Sequence, residues 1–242
     1  MMNKLNLASL TLVLSISSLS TLGADLKSGI YELNRGQFKA AMAEFQPLLE
    51  EGYAPAQYQV AMMYKNGWGM RKNLQKSYQL LTLAADQNYP DAQFELALMY
   101  TEGEPVEKNA KKAFELTKKA ADKGLASAQF NLGVMYAEGT GTYRDNTKAV
   151  REYEKAARQN YALAQFNLAL MHFEGKGTER SLFQSYIWNT IASRNGYKPA
   201  ESSRVLDERK LGVEQIKKGR EEADSLYRNL LAQAEIRAKN SQ

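Results

Sequence analysis

The chain of 242 residues contains no cysteine. This absence excludes disulfides, cysteine-bound zinc, iron–sulfur clusters and thiol chemistry, and with them a lipid anchor attached to an N-terminal cysteine. Proline is scarce, with 5 residues, whereas alanine, leucine, lysine and glutamate dominate. Because these four residues have high helix propensity, the composition favours helices.

A strong excess of one charge is also missing. The 32 Lys and Arg residues only slightly outnumber the 27 Asp and Glu residues, and both signs are interspersed along the chain. This pattern suits solubility and argues against nucleic acid as a partner. The 44% hydrophobic and 24% charged residues are typical of a soluble globular protein with one large domain or two small ones.

One long apolar run stands at the beginning of the chain. Lys4 is followed by uncharged residues up to Ala24, among them the string LASLTLVLSI and then small residues. The pattern predicts a signal peptide over residues 1–23. We therefore expect a periplasmic or secreted protein, without stable membrane insertion after cleavage. The alternative is a transmembrane anchor, which the Asn, Ser and Thr residues within the segment disfavour.

The rest of the chain repeats with a period of 36 residues. The string AQFNLGVMYAEGTGT begins at Ala128, and related strings begin at Ala56, Ala92 and Ala164. Residues suited to cap helix N-termini recur at this interval, namely Asn73, Asn109, Asp145 and Ser181. Residues that tolerate a left-handed backbone close each unit, namely Gly52, Asn88, Gly124, Asn160 and Gly196.

Each unit is predicted to form two helices, called helix A and helix B here. In the first full unit helix A covers residues 55–66 and helix B covers residues 74–87, with a glycine-containing loop between them. A single pair cannot bury its apolar face, so the pairs are expected to stack into an all-α solenoid. We predict an N-terminal capping pair over residues 24–54, four repeats over 55–200 and capping helices over 201–242. The last of these helices begins at Val213, and its apolar positions are expected to close the core.

The pattern of paired loop glycines, a cap residue and two adjacent alanines resembles the Sel-like repeat (SLR) family. These repeats are relatives of the 34-residue tetratricopeptide repeat, which is the alternative that the 36-residue period disfavours. One departure is Pro105, which replaces the second loop glycine. The resemblance implies a right-handed superhelix and a non-enzymatic adaptor that binds a protein or peptide on its concave face and needs no cofactor.

Helix A carries the candidate binding positions. The first set, called the aromatic column here, consists of Tyr58, Phe94, Phe130 and Phe166. The second set, called the hydrophobic column, follows one turn later and consists of Met62, Leu98, Val134 and Leu170. On the concave face that the resemblance implies, these residues would receive an extended or helical peptide. The alternative is that the aromatic rings pack between helices and are only half exposed.

A glutamate column stands just before the loop glycines and consists of Glu102, Glu138 and Glu174. Carboxylates perform acid–base chemistry when they lie close together and partly buried. Helices in adjacent layers are about 10 Å apart, and these residues are expected at exposed helix ends. A solvated rim or a site for basic peptide groups is therefore favoured over an enzyme that acts on cell-wall material.

Two further features are interpreted as structural. His172 takes the position that tyrosine has in the other repeats and has no second histidine or HExxH context, so we expect neither catalysis nor metal binding. The loop glycine pairs follow a helix instead of a strand, which argues against a phosphate-binding loop.

Overall fold

The computed structural model describes residues 26–240, and at Asn240 it describes the backbone alone. The predicted signal peptide over residues 1–23 lies outside the described residues. Over residues 26–240 the chain forms twelve helices and no strand. These helices are α1 (26–34), α2 (Phe38–Glu50), α3 (Ala54–Asn66), α4 (Leu74–Asp86), α5 (Pro90–Glu102), α6 (Ala110–Asp122), α7 (Ala126–Glu138), α8 (Asn146–Ala157), α9 (Ala162–Glu174), α10 (Leu182–Arg194), α11 (Lys198–Glu208) and α12 (Val213–Asn240).

The described part of the chain divides into two compact units, one up to Ala92 and the other from Gln93, and the division falls within α5. In the first unit α2 packs on α3 and α3 packs on α4. In the second unit each helix from α6 to α11 packs on the next, and α12 packs on α10. The all-α architecture of consecutively packed helix pairs confirms the predicted fold class. None of the helices within residues 26–240 has both the length and the hydropathy needed to cross a membrane.

Close packing against α1 organises the core of the first unit. Ala41, Phe45 and Val60 are fully buried there. A Cβ atom at Gly29 of α1 would lie 2.3 Å from Cε1 of Phe45, so only glycine lets the phenyl ring approach this closely. The inward face of α2 thus packs on α1 and α3.

Alanine lets the helices of the second unit approach each other. Ala128, Ala149 and Ala164 are completely buried, and larger side chains fill the space between the layers. Gly133 has the same function, because a Cβ atom there would lie 2.6 Å from Cε1 of Tyr153. Such small residues at regular intervals permit dense packing without cavities.

The helix ends match the predicted periodic positions. Each predicted cap side chain accepts a hydrogen bond from the backbone N–H three residues later, at 2.9 to 3.2 Å. In the third repeat this bond from Lys148 lowers the pKa of Asp145. The closing residues all have positive φ, between 62 and 91°. These bonds and turns satisfy backbone groups that a helix leaves unpaired at its ends.

The second loop glycine of a repeat packs against the preceding helix B. At Gly141, where φ is 71°, a Cβ atom would lie 2.1 Å from the carbonyl oxygen of Ala110 at the start of α6. At Gly177 a Cβ atom would lie 2.3 Å from the carbonyl oxygen of Asn146 in the same manner. In the second repeat Pro105 stands at this position, and the Glu104–Pro105 peptide bond is cis.

Helix α12 begins at Val213, as predicted, but its first apolar position does not reach the core. Val213 is 81% exposed, and the buried face of the helix starts at Gly219, where a Cβ atom would lie 2.8 Å from Cδ1 of Tyr186. Further along the helix Ala223 and Leu230 are buried, as expected. The first turns of α12 thus extend past the core, because the close contact with α10 comes only where glycine permits it.

Candidate protein-binding surface

A hydrogen-bonded pair of side-chain amides fixes the turn before a helix A. In the third repeat Nε2 of Gln159 donates to Oε1 of Gln129 at 2.7 Å and to the carbonyl oxygen of Gly124 at 2.8 Å. Nε2 of Gln129 in turn donates to the carbonyl oxygen of Ala121 at 3.3 Å. Because Gln129 is buried, the pairing of its amide avoids a desolvation cost, and the bonds of Gln159 connect successive helix pairs.

The same arrangement recurs in other repeats. Gln87 bonds to Gln57 and Gly52 in the first unit, and Asn195 bonds to Gln165 and Asn160 in the second. The sequence interpretation left the glutamine of the repeated Ala-Gln pair without a function. The sequence does indicate this function, because an asparagine or glutamine stands 30 positions after the glutamine. Gln87 follows Gln57 in this way, and Asn195 follows Gln165.

The aromatic column is half-buried in all four repeats. The ring centroid of Phe130 lies 5.4 Å from that of Tyr161, and the ring of Phe166 lies 5.0 Å from that of Tyr197. In the first unit Tyr58 contacts Tyr89 in the same way, at 5.4 Å. The rings therefore contribute to packing, as in the alternative considered from the sequence, and one part of each remains at the surface.

The hydrophobic column is more open at its end. Met62, Leu98 and Val134 are half-buried, whereas Leu170 is 41% exposed. In the first unit Tyr58 and Met62 line an open cleft of about 520 Å³, in which the rings of Phe38 and Trp68 are stacked with their centroids 6.4 Å apart. The two columns thus border space that a partner can enter.

All three residues of the glutamate column are exposed. Glu138 accepts a hydrogen bond from the Thr140 hydroxyl at 3.4 Å, and a carboxylate oxygen of Glu174 lies 2.9 Å from Nζ of Lys176. The burial that acid–base chemistry requires is absent at these side chains. Within residues 26–240 no group of three or more His, Asp or Glu residues is arranged to hold a metal ion.

His172 occupies the structural position of the tyrosines. Its carbonyl oxygen accepts the N–H of the cap residue Ser181 at 2.8 Å, as the carbonyl oxygen of Tyr136 accepts that of Asp145. Burial lowers the pKa of His172, so the imidazole is neutral near pH 7. In the third repeat Nζ of Lys148 lies 5.5 Å from the centroid of the Tyr136 ring. The fourth repeat has Gln184 at the place of this lysine.

A pocket of about 150 Å³ lies between α9, α10 and α11. Its apolar wall includes Phe166 and Leu170, one from each column, and Leu206 of α11. At its buried end Asp207, only 2% exposed, accepts hydrogen bonds from the Ser185 hydroxyl at 2.8 Å and from Nδ2 of Asn189 at 2.9 Å. Burial raises the pKa of Asp207, although these bonds and Lys210 act in the opposite direction.

A comparison with family models gives the relationship of the repeats. The Sel1 repeat model matches residues 54–89, 90–125, 126–161 and 162–197, which together make up more than half of the chain. The chain belongs to the Sel1 repeat family. This result confirms the resemblance inferred from the period of 36 residues. Sel1 repeat proteins are typically binding scaffolds and not enzymes.

Solved structures of other Sel1 repeat proteins resemble this one. A protective antigen with an SLR fold, present in uropathogenic Escherichia coli strains, has a TM-score of 0.78 and 28% identity over 93% of this chain and 50% of its own. A Sel1 repeat protein from Oxalobacter formigenes has a TM-score of 0.67 and 26% identity over 72% of each chain. This chain therefore spans about half the length of the Escherichia coli protein.

More distant similarity supports the fold alone. An immunity protein from Pseudomonas aeruginosa has a TM-score of 0.51 and 17% identity over 87% of this chain and 82% of its own. No curated protein sequence matches the chain. The relatives thus establish a Sel1 repeat scaffold.

The pocket contains the residues that the sequence interpretation missed. Asn189, Asp207 and Lys210 do not belong to any periodic set, and no motif marks them. Ser185 stands at the periodic position of Ser77, but its hydrogen bond to Asp207 depends on α11, which lies beyond the last matched repeat.

Proposed function

We propose that this Sel1 repeat protein is an exported scaffold that binds a protein or peptide along the helix A side of its repeats and assists the assembly or regulation of a cell-envelope complex. The observation that carries the proposal is that residues of both columns line open cavities. In the first unit these residues are Tyr58 and Met62, and in the second they are Phe166 and Leu170.

The chemistry of the surface indicates the kind of partner. The columns offer half-buried apolar side chains at every helix A, and the exposed carboxylates of Glu138 and Glu174 stand one turn further on. Apolar area surrounded by charge is typical of protein interfaces. We therefore expect a partner segment that inserts apolar side chains and carries basic groups near the rim.

The cellular location is part of the proposal and rests on residues 1–23. Their uncharged, apolar composition after Lys4 supports export, and a periplasmic scaffold is the form that we favour. A secreted factor that engages proteins of another cell is the second candidate, because the Escherichia coli relative is a protective antigen. Fractionation of the producing cell into periplasm and medium distinguishes the two.

The test is chemical crosslinking in intact cells, followed by affinity capture of the tagged protein. We expect the double variant Met62→Asp/Val134→Asp to lose its partner, because both changes place a charge in the hydrophobic column. The matched control is Leu83→Asp/Leu231→Asp, which changes two exposed leucines outside helix A and should retain the partner. If the Met62→Asp/Val134→Asp variant has wild-type helicity and still captures the partner undiminished, the proposal is contradicted.

A further inference from the structure

The pocket between α9, α10 and α11 has features that a packing defect lacks. We propose that it binds one tyrosine side chain of the partner, with the phenol ring against the apolar wall and the hydroxyl at the buried end. The inference deepens the proposed function and rests on it, because the tyrosine belongs to the bound protein or peptide.

The size of the pocket matches a single aromatic ring. A volume of about 150 Å³ is comparable to that of the engineered apolar cavity that holds one benzene molecule in another protein. The wall combines Phe166 and Phe173 of α9 with Leu170 and Leu206. A ring in this position can make offset or edge-to-face contacts with both phenylalanines.

At the buried end of the pocket one hydrogen-bond acceptor has no donor from the protein. Nδ2 of Asn189 donates to Oδ2 of Asp207 at 2.9 Å and to Oγ of Ser185 at 3.3 Å. These bonds fix the orientation of the amide, since a flipped amide would place its oxygen against the carboxylate. Oδ1 of Asn189 is buried and has no hydrogen-bond partner. Asn189 lines the pocket, and a buried acceptor without a partner is costly. A ligand whose donor meets this oxygen after a small shift of the amide is therefore favoured.

The groups around the pocket favour a neutral donor over an ammonium group, because the Asp207 carboxylate already accepts hydrogen bonds from Ser185 and Asn189. Lys210 lines the pocket, and its Nζ lies 4.7 Å from the centroid of the Phe173 ring. The positive charge of Lys210 would repel the ammonium group of a partner lysine, whereas it would not repel a neutral phenol. Phenylalanine would fill the same space but would leave Oδ1 of Asn189 unpaired.

The pocket can be reached from the proposed binding surface. Leu170, which is 41% exposed, belongs both to the pocket wall and to the hydrophobic column. Leu206 on the opposite wall is 52% exposed. A segment bound along helix A of the fourth repeat can therefore insert one side chain without any movement of the helices.

The test uses capped tripeptides and the full chain, with binding followed by amide chemical shifts in NMR spectra. Ac-Gly-Tyr-Gly-NH₂ should shift the signals of Asn189 and its neighbours and should saturate. Ac-Gly-Phe-Gly-NH₂ should bind roughly three- to tenfold more weakly, the effect of one hydrogen bond. A third peptide, Ac-Gly-Lys-Gly-NH₂, tests the preference for a neutral donor. Equal binding of the tyrosine and phenylalanine peptides, tighter binding of the lysine peptide, or no saturable shift with the tyrosine peptide would overturn the proposal.

A blocking variant locates the site. Leu206→Trp places a large side chain at the mouth and should abolish the shifts, whereas Leu83→Trp, at a leucine of 51% exposure on α4, should leave them unchanged. If Leu206→Trp still binds the tyrosine peptide as the wild type does, the site is elsewhere and the inference fails.

The capture experiment separates this inference from the proposed function. A partner that the wild type and Leu206→Trp capture equally would overturn the tyrosine pocket and leave the scaffold proposal intact. Saturable tyrosine binding in a protein that captures no partner would support the pocket chemistry and contradict the scaffold proposal.

Discussion

Helices α8 and α10 occupy the same place in consecutive repeats but are buried to different extents. On α8 the buried residues form one face, and the opposite face is exposed. On α10 all eight residues from Ser185 to Ala192 are buried, because α11 and α12 both pack on this helix. Helix B of an internal repeat therefore needs only one apolar face, whereas the last helix B is covered from several sides.

Covering a helix from several sides brings polar residues into the interior. Ser185, Asn189 and Asp207 form a buried hydrogen-bonded cluster between α10 and α11. Ala149, which has the position of Ser185 one repeat earlier, is surrounded by apolar residues. The pocket thus forms where α11, which lies beyond the last matched repeat, meets the helices of the fourth repeat.

The largest effect is expected where one repeat packs on the next. Gly141→Ala places a Cβ atom 2.1 Å from the carbonyl oxygen of Ala110 and forces alanine into a left-handed conformation. We expect a loss of about 3 kcal/mol or more in the free energy of unfolding, measured by urea denaturation. Gly124→Ala is the control, since its φ is also positive but no atom lies within 4 Å, and it should cost about 1 kcal/mol. Equal losses would show that packing of the loop does not matter.

The next prediction compares the loss of stability on replacing two serines that stand at the same repeat position. Ser185→Ala removes a donor to the buried Asp207 and should cost about 2 kcal/mol. The hydroxyl of Ser77 is buried and has no hydrogen-bond partner, so Ser77→Ala should change the free energy of unfolding by less than about 0.5 kcal/mol or stabilise the protein. Thermal and urea denaturation of both variants check this, and equal destabilisation would contradict a special function of Ser185.

The periodic part of this protein could be predicted from the sequence, because each of its positions recurs with one physical purpose. The cap residues, the closing residues and the all-α class follow from a period of 36 residues. Burial of the aromatic column could not be settled, since Phe130 contacts Tyr161 of the turn after α8, and this contact forms only when the helices pack. The pocket could not be found, because Asn189 and Asp207 meet only through the packing of α11 on α10.

A pH-dependent effect distinguishes the buried cluster from the exposed carboxylates. Burial raises the pKa of Asp207 above its ordinary value of 3.8. The folded state therefore binds this proton more tightly than the unfolded state, and the resulting stability is complete below pH 3.8 and is lost as the pH rises through the raised pKa. Asp207→Asn removes the titrating group, so the stability of the variant relative to wild type should increase from pH 4 to pH 7.

The wild type and Asp207→Asn share all other carboxylates. One of these is Glu201, whose pKa is lowered to about 2 by its hydrogen bond with Arg204. Such groups contribute equally to the two curves of stability against pH and cancel in their difference. Urea denaturation at several pH values gives this difference. A difference that is independent of pH would mean that Asp207 titrates alike in the folded and unfolded states.

The smallest effect should come from making the fourth repeat like the third. His172→Tyr/Gln184→Lys introduces the pair in which Lys148 lies over the ring of Tyr136. A cation–π contact at an exposed site contributes about 0.5 to 1 kcal/mol, and the tyrosine also replaces an imidazole whose Nδ1 is buried without a hydrogen-bond partner. We expect the double variant to be more stable than the sum of its single variants predicts, as measured by a double-mutant cycle in urea. Strict additivity would show that the two residues do not interact. Histidine and tyrosine at position 172 would then differ only in how they fill the space.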